Sequence, residues 1–206
     1  YSVTAIETGV PSMVTVHDLN HRVYNEFPEL TAWGELERRE YYFRNACRHA
    51  VTLFVESNTG REDVLNFYAD TGLTADRVVV LPMLPAPTLT PTVGAAERAL
   101  VRERYGLRGD YLFYPAQFWP HKNHQRLIQA LDVLKRTTGL TPMLVLAGAH
   151  SGSLRSRTFT GAMRTARQIG VERQVRYLGF VPDKDISALY AEAAGLVMPT
   201  FFGPTN

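Results

Sequence analysis

Seven short runs rich in β-branched and apolar residues recur along this chain: MVTVHD (13–18), VTLFV (51–55), VVVLPM (78–83), YLFYPA (111–116), MLVLAG (143–148), VRYLGF (175–180) and GLVMPT (195–200). Runs of this length and composition read as buried strands. Longer segments of helical period lie between them. Strand, helix, strand in repeated order requires crossover connections, and crossovers make neighbouring strands parallel. The expected fold is therefore α/β, built on parallel Rossmann-like sheets.

The helical segments carry their own signals. In 29–50, Leu30, Trp33, Leu36 or Glu37, Glu40, Tyr41, Arg44 and Cys47 follow steps of three and four, which predicts one continuous helix. Ser57 is a good N-cap for the next, whose apolar face is Val64, Leu65, Phe67 and Tyr68 and whose stop is Gly72. In 123–138, Leu127, Ile128, Leu131 and Leu134 form a stripe that Gly139 ends, and further helices are expected over 158–169 and 183–194. Residues 84–96, LPAPTLTPTVGAA, hold three of the twelve prolines and no period, which marks a linker. The division that follows is a first α/β domain over 1–83, a linker and connecting helix over 84–107, and a second α/β domain over 108–206.

Composition excludes several classes. With 22 basic and 20 acidic residues the net charge is +2, too weak to argue for nucleic acid or an anionic membrane. The one cysteine, Cys47, rules out a disulfide framework and suits a reducing cytoplasm. No apolar run reaches the length of a membrane span. The chain opens YSVTAIETG without a methionine and stops at FFGPTN, so it is expected to be a piece of a longer protein that lacks both ends.

In parallel α/β sheets, ligands sit beyond the carboxyl ends of the strands. His17 and Asp18 close the first run, Gln117 to Lys122 follow the fourth, Gly148 to Gly152 the fifth, Phe180 to Asp183 the sixth, and Phe201 to Asn206 the seventh. Lys122 precedes a helix, where unpaired N–H groups and a full positive charge would together hold a phosphate; a solvated surface lysine is the plainer reading of that residue type. His17 and His21 in HDLNH have the spacing of helical zinc ligands, but the preceding strand, the turn-forming Asn20 and the lack of a third ligand argue against a metal. His124 is expected to cap or pack the first helical turn, His49 and His150 to lie at the surface, and Cys47 to be a small core residue. Trp119 either stacks on a ligand or covers the linker.

Two stretches, PAQFWPHKNHQRLIQAL (115–131) and VRYLGFVPDKDISALYAEAAGLVMPTFFG (175–203), resemble the donor-domain signatures of family 4 glycosyltransferases, the group 1 type with the GT-B fold. VTVHDL, followed by a helix, VES, a second helix and a strand ending in proline, resembles the back of that family's acceptor domain. The resemblance implies two Rossmann-like domains of GT-B type, both incomplete in this chain. It implies that Lys122 grips the donor diphosphate and that Gln117 stands where many members place an arginine with the same duty. Phe180 and Val181 match the turn whose backbone faces the nucleobase, and His17 matches the catalytic-site histidine that faces the transferred sugar. Gly203, Thr205 and Asn206 match the donor-binding loop that leads to a diphosphate-facing helix; Gly203 replaces the first of two family glutamates.

The activity so implied is retaining transfer of a hexose, mannose-like or other, from a GDP- or UDP-linked sugar to a glycan or lipid-linked acceptor. No metal or other cofactor is implied. A cytoplasmic place in polysaccharide biosynthesis is expected, with peripheral association at the inner membrane face as a further expectation, and this chain alone is expected to be poorly stable and inactive. Two other readings stay open: a sugar-nucleotide epimerase of the same architecture, and a non-catalytic sugar-nucleotide-binding module, which the neutral Gln117 and Gly203 favour.

Overall fold

The computed structural model describes residues 8–84 and 92–203. The chain divides into two compact units, Tyr1–Leu84 with Phe202–Asn206 and Pro85–Phe201.

The first unit contains β1 (Met13–Val16), α1 (Asn20–Val23), α2 (Pro28–Thr31), α3 (Glu35–His49), β2 (Thr52–Val55), α4 (Asn58–Phe67) and β3 (Val78–Val80). All three strands are parallel, in the order β1-β2-β3, with Met13 opposite Thr52 and Leu53 opposite Val78. Right-handed crossovers between strands that succeed one another in one direction deliver their helices to the same face. The core obeys this: Val14, Val16, Leu53 and Val55 pack with Phe43 and Cys47 of α3 and Val64 of α4. The intervening Met13 and Val79 are 69% and 42% exposed, so these strands alternate rather than being buried on both faces.

Ser57 caps α4 as its side chain predicts, its Oγ accepting from the Gly60 amide at 3.1 Å. The single helix expected over 29–50 is broken instead. Trp33 and Gly34 both adopt positive φ, 57° and 75°, and a 3-10 turn separates α2 from α3. Trp33, which belonged to the predicted apolar stripe, is thereby left 75% exposed. Phe202 groups with this unit because its ring stacks on Tyr24 at 4.8 Å and meets Phe27 edge-on at 5.2 Å.

The second unit contains α5 (Ala95–Tyr105), β4 (Tyr111–Pro115), α6 (His124–Thr138), β5 (Met143–Ala147), α7 (Ser153–Gln168), β6 (Val175–Tyr177), α8 (Asp183–Glu192) and β7 (Gly195–Leu196). Its parallel sheet has the order β6-β5-β4-β7. The chain therefore steps outward from β4 to β6 and then returns past both to place β7 on the other side of β4. That reversal puts helices on both faces. Leu127, Ile128 and Leu131 of α6 and Ala162 and Ala166 of α7 pack on one side of the sheet. Val101 of α5 and Ala188 and Leu189 of α8 pack on the other. Leu144 to Ala147 are all buried in consequence, the continuous pattern of a central strand.

Polar ties fix this packing. Asp185, buried in the first turn of α8, accepts from Arg104 Nη1 at 2.5 Å and from Tyr105 Oη at 2.7 Å, joining α8 to α5. Burial alone would raise its carboxyl pKa, but these two bonds outweigh it and hold the group below the usual range. Tyr111 Oη donates to the Leu189 carbonyl at 2.8 Å, joining β4 to α8.

Candidate functional site

The strand order reverses between β4 and β7. At the carboxyl ends of these two strands the second unit opens into a cavity of about 400 Å³, lined by Tyr114, Gln117, Trp119, Lys122, Tyr190 and Thr200 among others. In open α/β sheets such a topological switch point is where ligands bind, because the helices on either side diverge there.

Each wall is held by specific bonds. After β4 the chain makes a 3-10 turn, Pro120–Lys122, opened by a proline whose fixed φ suits that position. Tyr114 Oη donates to the Lys122 carbonyl at 2.8 Å, which pins the turn to the strand. Asn123, at φ 56°, reverses the backbone into α6, and its Nδ2 donates to the Pro199 carbonyl at 3.0 Å. The Phe201 amide donates to the His121 carbonyl at 2.9 Å. The loops after β4 and β7 are thus laced together around the cavity.

Lys122 is half-buried, and burial lowers its pKa from the ordinary lysine value. A desolvated ammonium is stabilised by an anion brought against it. Gln117 shares the wall: its Oε1 accepts from Trp119 Nε1 at 3.1 Å and from Arg155 Nη1 at 2.7 Å. Both partners are donors, so the amide oxygen is identified by its surroundings. The Arg155 guanidinium lies over the Trp119 ring at 4.7 Å. Trp119 accordingly belongs to the cavity wall.

Behind this wall, His124 is a packed core residue, as expected. It stacks on Phe118 at 4.0 Å, lies 3.3 Å from the Ala116 carbonyl, and is driven down to a pKa of about 4 by burial. His150 departs from the surface reading, since its ring stacks on Phe159 at 4.3 Å. The GAHSG connection is shaped by Gly148, at φ 133°, where a Cβ would lie 2.4 Å from the Ala116 oxygen. The Gly148 amide donates to the Gly179 carbonyl at 2.9 Å, linking this loop to the one after β6. In that loop Phe180 is 81% exposed and Val181 is buried against the α8 side of the core; neither lines the cavity.

The first unit has a smaller cleft at the ends of β1 and β2, lined by His17, Asp18, Ser57, Asp63 and Gly203. His17 Nδ1 meets Glu56 Oε1, while Glu56 is itself buried and its Oε2 has no partner among the described residues. Glu56 went unread in the sequence, although an acid directly after a buried strand end is the available signal. His21 turns away from His17: it is buried, bonds Glu40 at 2.9 Å and stacks on Phe43 at 5.5 Å. Burial lowers the His21 pKa. Among the described residues no group of three or more His, Cys, Asp and Glu could hold a metal ion, and no helix is long and apolar enough to cross a membrane. Thr205 and Asn206 lie outside the described residues.

Residues 101–202 match the family model described as Glycosyl transferases group 1. O-antigen chain mannosyltransferase B of Escherichia coli is 27% identical over 192 residues, covering 93% of this chain and 47% of that protein. Among solved structures, WaaG, a glycosyltransferase involved in lipopolysaccharide biosynthesis, superposes with a TM-score of 0.72 at 18% identity, over 95% of this chain and 52% of that one. Anabaena Alr3699/HepE in complex with UDP and glucose gives 0.71 at 18% identity, over 96% and 48%. The chain spans about half the length of each of these three proteins. These likenesses show a GT-B type of α/β fold.

Proposed function

We propose, from the match of residues 101–202 to the model of the group 1 glycosyl transferases, that this chain is the part of a hexosyltransferase that holds a nucleotide-diphosphate sugar in the cavity between β4 and β7. The observation that carries this reading is Lys122, a desolvated cation in the wall of a cavity at the switch point of a parallel sheet. Departure of a nucleoside diphosphate develops negative charge on its phosphate oxygens, and a preorganised ammonium stabilises that charge more in the transition state than in the ground state. This duty falls to a lysine, so the reading calls for no metal.

In this reading Gln117 donates from its amide NH2 to the same phosphates, and the nucleobase extends beyond the cavity to the backbone at Phe180 and Val181. His17, oriented by Glu56, is the catalytic-site histidine, and Gly203, Thr205 and Asn206 belong to the donor loop. Transfer proceeds with retention to a glycan or lipid-linked acceptor. The mannosyltransferase relative supports a mannose-like sugar, and the neighbour solved with UDP and glucose supports a UDP donor; GDP stays the other candidate. A place in cytoplasmic polysaccharide biosynthesis, with peripheral association at the inner membrane face, belongs to the same reading.

A second reading is a sugar-nucleotide-binding module without turnover, favoured by Gln117 and Gly203, both uncharged. Release of UDP or GDP from UDP-glucose and GDP-mannose, measured on the whole hexosyltransferase of which this reading makes the chain a part, separates the two. The transferase reading predicts release from one donor and a fall of about a hundredfold in Lys122→Ala, the scale of one lost charge-stabilising donor. Donor binding without release would favour the module, and release untouched by Lys122→Ala would sink the role of Lys122.

A further inference from the structure

A diphosphate carries more negative charge than one lysine neutralises, and Gln117 adds none. Among the cavity's lining residues Lys122 is the one full cation. A second positive charge nevertheless stands against two of those lining residues, brought from a different element. Arg155, in the first turn of α7, reaches across to the β4 loop, where its Nη1 donates to Gln117 Oε1 at 2.7 Å. Its guanidinium lies on the face of Trp119 at 4.7 Å, and both of those partners line the cavity. Among the described residues no carboxylate pairs with Arg155, so its charge is uncompensated where it stands.

We propose that Arg155 is the second cation of the phosphate site, held in place by Gln117 and Trp119 and supplying from α7 the positive charge that position 117 lacks. The inference rests on reading the cavity as a nucleoside-diphosphate site. One Nη1 hydrogen is committed to Gln117, and the planar fork keeps further N–H donors for two phosphate oxygens, a geometry that a lysine cannot reproduce. Stacking on an indole costs the guanidinium none of those donors, since they lie in its plane. Gln117 thereby becomes a positioning residue: its oxygen aims Arg155, while its NH2 is left to donate.

Arg155 sits on α7, far along the chain from Gln117, so arginine at 155 with glutamine at 117 is one arrangement and arginine at 117 is its substitute. That makes the inference testable by exchange. Binding of UDP, GDP and inorganic pyrophosphate would be measured by titration calorimetry for the wild-type chain, Arg155→Ala, Lys122→Ala, and the double variant Gln117→Arg with Arg155→Ala. Thermal melts would confirm that each variant folds. Arg155→Ala is expected to weaken UDP or GDP and pyrophosphate by about tenfold or more, the scale of a lost charge-assisted pair. The double variant is expected to recover most of that loss.

Three results would overturn it. If Lys122→Ala loses binding while Arg155→Ala keeps it, the cavity reading stands and the inference about Arg155 falls. If Arg155→Ala weakens UDP or GDP but leaves pyrophosphate unchanged and is not rescued by arginine at 117, Arg155 merely props Trp119. If the wild type binds none of the probes, or Lys122→Ala binds them all equally, the cavity is not a phosphate site and both readings fall together.

Discussion

His124 stands in the first turn of α6 with its imidazole flat on Phe118 and 1% of its surface exposed. Burial is the main cause that brings its pKa from 6.5 to about 4, with the nearby Lys122 and His121 charges acting the same way. The fold therefore keeps this ring neutral, whereas the unfolded chain takes up a proton once the pH drops below about 6.5. Stability is full above that value and declines as the pH falls toward 4, because the unfolded state binds more protons in that window. A shift of this size corresponds to about 3 kcal/mol at the acid end. His21, whose pKa burial also lowers, adds to the same slope in the other unit. Thermal melts between pH 7 and 4.5 should show a steeper fall for the wild type than for His124→Phe; equal slopes would show that His124 is not the buried neutral group described.

At the scale of elements, the loop after β5 is fitted to the loop after β4 through a single missing side chain. Gly148 has a φ of 133°, and a Cβ there would lie 2.4 Å from the Ala116 oxygen and 2.6 Å from its carbonyl carbon. Gly148→Ala must push the backbone that carries Gln117, at a cost of about 2–4 kcal/mol. Its effect should reach the site as weaker UDP or GDP binding. Gly170→Ala, at φ 71° with open space around it, should cost only about 1 kcal/mol and leave binding unchanged. Melts and titrations of the two variants check this, and equal penalties would contradict a steric role for Gly148. The alternation of apolar runs and helical periods was enough to read these elements, and Ser57 and Gly139 mark their ends as their chemistry requires. Breaks without a periodic signature were less legible. Only Leu154 is apolar in Ser153–Arg157, so α7 begins five residues before the helix expected from 158. A pair of positive-φ residues at Trp33 and Gly34 interrupts a stripe that otherwise reads as continuous.

Across the whole molecule, each unit keeps its own core, and the strand order of the second unit decides where chemistry can happen. That β7 returns beside β4 is a long-range pairing, Leu112 with Gly195 and Phe113 with Leu196, which no local pattern announces. Lys122 and Gln117 could be read from the chain because strand end, loop and helix start are contiguous there. Arg155 and Glu56 could not, since each acts through a partner remote in sequence. The central claim is that nucleoside diphosphate binds in the cavity of the second unit, and the chain carries its own reporter for it. Of its two tryptophans, Trp119 lines that cavity with its indole N–H on Gln117, whereas Trp33 is exposed in the first unit. The most direct measurement is a titration with UDP and GDP followed on the two indole N–H resonances by nuclear magnetic resonance, assigned with Trp33→Phe. The account predicts that the Trp119 resonance moves in a saturable way with one of the two nucleotides while that of Trp33 stays in place. A still Trp119 resonance, or a shift at Trp33 alone, would contradict it.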